Sequence, residues 1–232
     1  MAEGLSGILA MLQLSDAALP IGRHAHALGL ERHLREGRAS DPLHLRSYSV
    51  SALLHGAARM DGAASAQAHN AMSADDLPAL LAVDQRLDRM KLTCAAQTAS
   101  RRCGSRLAAL APSLIAGSTL AAYCQAVRDA AAPGHLAVVT AAAAAAAQVP
   151  QRDAVVMEMR GIATLILSAA VRLDALPAAA AQILLAGLAP EILQATTIAL
   201  ATAPHDMGSS AAAGLEIAAM NHSREAGRLF AT

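Results

Sequence analysis

Histidines are the residues that could most readily bind a metal here, and two of the nine lie close together in Leu19-Pro-Ile-Gly-Arg-His-Ala-His26. In a helix, positions i and i+2 point about 200° apart, so His24 and His26 could not chelate one ion there. His26 and His33 are seven residues apart and could share a helix face, but a stable site needs further ligands. The sequence therefore predicts no resident metal and no cofactor.

Carboxylates could hold magnesium or transfer protons, and two acidic pairs have suitable spacing: Asp75-Asp76, and Asp84 with Asp88. Residues four apart lie on one helix face, so the second pair could point at one site. A magnesium site would need a second acidic segment facing it, and none stands out. The sequence also lacks the G-x-x-x-x-G-K-[ST] loop that cradles nucleotide phosphates. We interpret both pairs as solvated helix faces and expect no enzymatic activity.

Cysteine use and charge argue against several classes of protein. Cys94, Cys103 and Cys124 are an odd number without C-x-x-C spacing, which predicts reduced thiols in a cytosolic protein. The formal net charge is zero and the pI is about 7.1, so no bulk attraction to nucleic acid is expected. The apolar segment from Gly161 to Val171 is shorter than the roughly 20 residues of a membrane span, and no signal peptide is recognised. We expect neither nucleic acid nor a membrane as a partner.

The histidine segment must be positioned by a loop between two helices. Pro20 disfavours helix in the residue before it, and Gly22 permits positive φ, which together predict a rigid turn. A second helix is expected from about Arg23 to Arg35. The first helix is predicted to be amphipathic, with an apolar face that comprises Leu5, Ile8, Leu9 and Leu12.

Residues typical of helix starts and ends recur along the rest of the chain. No stretch of alternating apolar and polar residues is long enough to predict a strand. Asp41-Pro42, Ser73-Ala-Asp-Asp76 and Asp153 predict helix starts, and Pro112 predicts a helix end. We predict an all-α, single-domain helical bundle of about ten helices in residues 1–203, followed by a linker and flexible C-terminal tail in 204–232. Since 55% of residues are hydrophobic and only 16% charged, apolar surface should remain exposed, which favours a homodimer or a partner complex.

Segments in order along the chain resemble one family. The first, Leu12-Gln-Leu-Ser-Asp-Ala-Ala-Leu-Pro-Ile-Gly22 followed by Gly29-Leu-Glu31, is similar to the N-terminal signature of the urease accessory protein F family. The sequence departs from the family where Gly22-Arg-His-Ala25 replaces a G-G-F/Y-S segment. The later matching segments are Arg101-Arg-Cys-Gly-Ser-Arg-Leu107, His135-Leu-Ala-Val-Val139, Ser168 to Leu173 with Gln182 and Pro190-Glu-Ile192, and Glu216 to Phe230.

The resemblance implies an all-helical cytoplasmic chaperone for urease maturation by nickel insertion into the apoprotein. The family acts as a non-catalytic adaptor, so the expected partners are urease accessory protein D/H, the GTPase accessory protein G and the urease apoprotein. A diverged helical protein that itself carries nickel stays open as the alternative. The residues expected to bind partners lie in the first loop and the tail: Pro20, Gly22, Arg23, His24, His26, Gly29, Glu31, His222, Arg228, Leu229 and Phe230.

Overall fold

The computed structural model describes residues 2–23, 26, 28–37 and 41–208, with side chains from Ser6 onward. Among these residues every regular element is helical and no strand occurs. The helices are α1 Ala2–Ser15, α2 Leu30–Arg35, α3 Pro42–Ser51, a π-helical segment Ala52–Gly62, α4 Ala63–Ser73, α5 Leu77–Met90, α6 Cys94–Leu114, α7 Ser118–Arg128, α8 Leu136–Ala146, α9 Gln151–Arg172, α10 Ala178–Gly187 and α11 Ala189–Ala201. Because α3, the π segment and α4 run on without a break, the described chain confirms the predicted all-α bundle of about ten helices.

Helix α8 lies at the centre of the bundle. Its residues from Leu136 to Ala145 are all buried, and α4, α6 and α9 pack around it. A helix that is apolar on every face is expected in the interior, and alanine side chains let neighbouring helices approach closely. A second buried cluster joins α9 to the π segment, α10 and α11, and contains Ile166 and Leu188.

Two predicted helix starts are confirmed by their caps. The Asp41 carboxylate accepts a hydrogen bond from the His44 backbone N–H at 2.9 Å, with Pro42 in the first turn. Asp76 does the same for Ala79 at 2.9 Å, whereas Ser73 ends the preceding helix rather than taking part in the cap. Short polar side chains at these positions satisfy backbone N–H groups that the helix leaves free.

The predictions for Pro112 and Asp153 are wrong. Helix α6 continues past Pro112 to Leu114. A proline removes the hydrogen bond to the carbonyl four residues earlier, but here the Ala108 carbonyl accepts from the Arg128 guanidinium at 3.3 Å instead. Helix α9 begins directly after Pro150, so Asp153 lies inside the first turn and does not cap it.

The first two helices also differ from expectation. The second helix begins at Leu30 and not near Arg23, because Leu28 (φ 49°) and Gly29 (φ 79°) adopt left-handed conformations that cannot start a helix earlier. In α1 the predicted apolar face does not meet the core. Ile8, Leu9 and Leu12 are exposed, whereas Leu14 is buried.

Helix α9 is long and apolar enough to cross a membrane by length and composition alone, and α10 with α11 would qualify as one span bent by 51°. The expectation that no segment reaches this length is therefore wrong for α9, which runs beyond both ends of the Gly161–Val171 stretch. Two thirds of its most apolar window, 67%, is buried inside the protein. This burial is typical of a core helix.

The residues after α11 stay against the bundle as far as they are described. Pro204–Asp206 form one 3₁₀ turn, the Arg86 guanidinium donates to the His205 carbonyl at 3.3 Å, and Met207 is buried. The predicted linker therefore begins with packed residues. The tail from 209 to 232 lies outside the described residues, so the boundary at 203/204 stays a prediction.

Candidate functional site

The loop between α1 and α2, residues 16–29, is called the Arg23 loop here; residues 24, 25 and 27 are not described. It starts as a turn in which the Asp16 carboxylate accepts from the Ala18 backbone N–H at 2.8 Å. Ile21 is buried below the turn, and the Arg106 guanidinium donates to its carbonyl at 3.4 Å. Gly22 follows with φ 76°, a conformation that favours glycine. The sequence L-P-I-G thus makes a rigid corner that turns Arg23 inward.

Arg23 forms a buried ion pair with α9. Its guanidinium donates to the Glu158 carboxylate at 3.0 Å, and both side chains are almost fully buried. The guanidinium lies against Gly161, where an added Cβ would overlap it. A glycine one turn after Glu158 on α9 therefore opens the groove in which Arg23 lies. Because an unpaired buried charge is costly, this pair fixes the Arg23 loop to the core.

The far end of the loop is tied down by backbone and side-chain contacts. The Tyr48 hydroxyl donates to the Leu28 carbonyl, and the buried Tyr48 ring meets His33 edge-on at 5.1 Å between centroids. Gly29 is buried at the start of α2. Glu31, also buried, forms an ion pair with Arg35 one turn later. These residues hold the exit of the loop.

His26 lies inside the protein, with its side chain only 8% exposed. Its Nδ1 atom is buried without a hydrogen-bond partner in the described part of the chain. Burial, together with the positive charges of Arg102, Arg106 and Arg172, lowers the pKa of this imidazole below its ordinary value. His26 is therefore neutral near pH 7, and its Nδ1 atom makes no hydrogen bond to the described residues.

A second polar cluster joins α5 and α7 to the segment that precedes α8. Asp84 of α5 is completely buried, and its carboxylate accepts from the Tyr123 hydroxyl at 2.8 Å and from the backbone N–H groups of Gly134 and His135 at 2.7 and 2.9 Å. Burial raises the pKa of Asp84, although these hydrogen bonds oppose the shift. The interpretation of Asp84 as part of a solvated face is wrong: it fixes the corner that leads into α8. We call this group the Asp84 corner.

The imidazole of His135 extends the same cluster. Its Nε2 lies 2.9 Å from the Asp88 carboxylate, and its Nδ1 lies 3.1 Å from the Ser100 hydroxyl. Arg101 also donates to Asp88, at 2.8 Å. Burial alone would raise the pKa of Asp88, but the bonds from Arg101 and His135 hold it below its ordinary value. The carboxylates of Asp84 and Asp88, whose spacing raised the question of magnesium, thus accept hydrogen bonds from protein donors.

The Asp84 corner also joins two of the segments that resemble the urease accessory protein F family in sequence. Gly104 of α6 lies directly against the Gly134 carbonyl and the His135 backbone, so a Cβ at this position would overlap them. The Arg101–Leu107 and His135–Val139 segments therefore touch each other. Through Arg106 the first of them also contacts the Arg23 loop. Three segments that resembled one family by sequence form one connected structure.

Comparison with known proteins identifies one family. The family model described as UreF matches residues 39–189. Urease accessory protein UreF 2 of Brucella canis is 35% identical over 171 residues, which cover 74% of this chain and 70% of that protein. UreF 1 of Brucella melitensis is 34% identical over the same length, and UreF of Yersinia pseudotuberculosis is 29% identical over 168 residues, or 72% of this chain and 73% of that protein.

The chain belongs to the UreF family of urease accessory proteins. The resemblance inferred from the first-loop signature is thereby confirmed, although the region matched by the family model begins after the Arg23 loop. Of the three free cysteines of this UreF-family chain, Cys103 and Cys124 are buried and Cys94 is exposed.

The structure places the predicted partner-binding residues unequally. Pro20 is exposed, whereas the side chains of Arg23, His26 and Glu31 and the backbone of Gly29 face the interior, with Gly22 half-buried. The residues that face inward hold the shape of the loop in this UreF-family chain. The other predicted residues lie outside the described part: His24, His222, Arg228, Leu229 and Phe230.

Several residues that build the site were not found from the sequence. Glu158 and Gly161 lie about 135 residues after Arg23, so no local pattern connects them. The buried ion pair of Lys91 with Asp61, at 2.8 and 3.0 Å, joins segments 30 residues apart. One available signal was Gly161 itself, since a glycine inside a long helix is unfavourable unless something packs closely against it. Among the described residues, no group of three or more His, Cys, Asp or Glu side chains could hold a metal ion.

Proposed function

We propose that this UreF-family chain is a non-catalytic adaptor, a cytoplasmic chaperone for urease maturation. In this proposal it binds urease accessory protein D/H and the GTPase accessory protein G, and presents them to the urease apoprotein for nickel insertion. The observation that carries the proposal is family membership at 35% identity over 74% of the chain, to a relative named a urease accessory protein. One feature of the described surface and one feature of the sequence support it.

The first feature is the outer face of α1. Leu9 and Leu12 are 67% and 58% exposed, and Ile8 lies beside them, so three large apolar side chains one turn apart face outward. Exposed apolar side chains in a contiguous group mark interaction surfaces. The Arg23 loop follows α1 directly and exposes Pro20. We propose that α1 and the outer surface of this loop bind one accessory partner together.

The second feature is the C-terminal tail, whose sequence carries Leu229 and Phe230 near its end, with His222 and Arg228 as polar neighbours. We propose that the tail binds the D/H-type partner. Burial of one phenylalanine contributes about 1.5–3 kcal/mol. Phe230→Ala should therefore weaken partner binding by about tenfold or more, and a large loss of stability of the isolated chain with unchanged partner affinity would contradict this role.

Reconstitution tests the adaptor function. Urease apoprotein is activated with nickel and GTP in the presence of the D/H-type protein, the G-type protein and this chain. We expect activation to require the chain and to fall about tenfold with Leu9→Ser combined with Leu12→Ser. The matched control is Leu114→Ser, which alters an exposed leucine at the end of α6. Full activation without the chain would contradict the proposal.

Two measurements on the isolated chain complete the test. Light scattering at micromolar concentration should give a homodimer, since the exposed apolar residues of α1 and Ile183 of α10 leave uncovered surface. Equilibrium dialysis with nickel should show no tight site. Tight stoichiometric nickel binding would instead support a diverged nickel carrier.

A further inference from the structure

A cavity of about 160 Å³ lies where the Arg23 loop meets the bundle. Five further segments line it: the π segment, the loop between α5 and α6, and parts of α6, α8 and α9. Leu92 lines the cavity and is 53% exposed, so the cavity lies next to the protein surface. It is a built feature of the fold, since segments far apart in the sequence contribute its walls.

Small side chains leave this space open. The π segment presents Ala52, Gly56 and Ala57, and α6 presents Ala96, Ala99 and Cys103. Two buried ion pairs, Arg23 with Glu158 and Lys91 with Asp61, also line the cavity. The chain has few large side chains to insert, since aromatic residues make up only 1% of it.

The walls define what could occupy the cavity. Both positive charges are already paired with carboxylates, so a charged ligand would bring an uncompensated charge into a buried site. The remaining walls are mainly apolar, with Met60, Leu136 and Ile162 among them. His26 also lines the cavity, and its buried Nδ1 atom has no hydrogen-bond partner among the described residues. An occupant should therefore be uncharged, mostly apolar, and able to form one hydrogen bond.

Size sets a further limit. An apolar protein cavity of about 150 Å³ accommodates a benzene ring. We propose that this cavity is a binding site for a small uncharged ligand with an apolar body of about one six-membered ring and one polar group that hydrogen-bonds to His26. The site is independent of the adaptor function, and π-helical segments such as the one in its wall often occur at functional sites.

Phenol and benzene are the probes that test this site on the full-length chain. Phenol should bind saturably, with a Kd on the order of 1 mM, and more tightly than benzene. The methyl resonance of Met60, assigned with Met60→Leu, should shift on titration because Met60 lines the cavity. Absence of saturable binding of both probes by the wild-type chain would overturn the proposal.

Variants locate the site. Ala99→Leu should fill the cavity and abolish phenol binding, whereas Ala121→Leu, at an exposed position of α7, should leave binding unchanged. His26→Leu should reduce the preference for phenol over benzene by about threefold to tenfold, the value of one hydrogen bond. Binding that survives in a folded Ala99→Leu, or phenol shifts in wild-type protein that leave Met60 unmoved, would place the ligand elsewhere and overturn the proposal.

Discussion

The Asp84 corner and the wall of the cavity both contain buried charged side chains, yet these side chains are satisfied in different ways. Asp84 has no positive partner within its hydrogen-bond distance, but three donors satisfy its carboxylate. Around the cavity two complete ion pairs are present, but the Nδ1 atom of His26 has no hydrogen-bond partner in the described part of the chain. A buried region in which every charge has a partner of opposite charge can therefore still contain a polar atom without a hydrogen bond.

The difference indicates what each region does. Two of the donors at the Asp84 corner are backbone N–H groups, whose positions are fixed by the chain itself, so the carboxylate serves as a permanent joint between α5 and α8. At the cavity the ion pairs come from long side chains that enclose a space. Mutations at the Asp84 corner should lower the free energy of unfolding. Mutations at the cavity should also change the binding of added ligand.

Asp84→Ala should give the largest loss of stability, because it leaves the Tyr123 hydroxyl and the N–H groups of Gly134 and His135 buried without a partner. Each such group costs roughly 1–3 kcal/mol, so a total of about 4 kcal/mol is expected. Denaturant unfolding followed by circular dichroism measures it. The control is Asp153→Ala, whose carboxylate is exposed and should cost less than about 1 kcal/mol. Equal effects of the two variants would show that the corner is not a joint.

Gly161→Ala should follow, with a loss of about 3 kcal/mol, because its methyl group displaces the Arg23 guanidinium and leaves the Glu158 carboxylate buried without its partner. Gly187→Ala is the matched control, since nothing lies within 4 Å of a Cβ there. That change should stabilise the chain by about 0.5–1 kcal/mol through helix propensity. Thermal unfolding of both variants distinguishes the close approach at Gly161 from a general effect of alanine in a helix.

A double-mutant cycle measures how strongly Arg23 and Glu158 interact. Arg23→Leu and Glu158→Leu should each destabilise the chain by about 3 kcal/mol, because each leaves one buried charge without its partner. The double variant should be less destabilised than the sum of the single variants by about 2 kcal/mol, since no charge is then left alone. Denaturant unfolding of the four proteins gives the coupling energy. Additive effects would mean that the two side chains contribute independently of each other.

Sequence reasoning succeeded where the cause is local. The caps at Asp41 and Asp76 could be predicted because a short side chain satisfies a backbone group only three residues away. The rigid corner at Pro20 and Gly22 has the same local origin. The start of α2 was missed because Leu28, which is not a glycine, adopts a left-handed conformation, and its carbonyl accepts a hydrogen bond from Tyr48, twenty residues later.

The site itself depends on distant contacts, which explains what was missed. Asp84 and Asp88 have the spacing of an exposed acidic face, but the donors that bury Asp84 lie about 50 residues away. The spacing of apolar residues also predicted which side of α1 is apolar. It could not show whether the core or a partner covers that side. Family resemblance located these segments along the chain, yet only the fold shows that they touch.

The smallest expected effect is a pH dependence carried by the two buried histidines. Burial lowers the pKa of His26, aided by Arg102, Arg106 and Arg172. Burial also lowers the pKa of His135, aided by Lys91, while hydrogen bonding to Asp88 opposes the shift. At pH 7.5 and above both imidazoles are almost entirely neutral in the folded and the unfolded state, so they add little pH dependence there.

Below pH 6.5 the unfolded chain takes up protons that the folded chain does not, so stability should fall as the pH decreases from 6.5 towards the lowered pKa values. Unfolding at pH 7.5 and 5.5 measures this loss. His26→Leu should reduce it, because Leu removes a group that the cavity wall leaves unpartnered, and only His135 then contributes. If His26→Leu leaves the loss unchanged, protonation of His26 is tolerated in the folded state, and the contrast between the unpartnered imidazole and the satisfied corner fails.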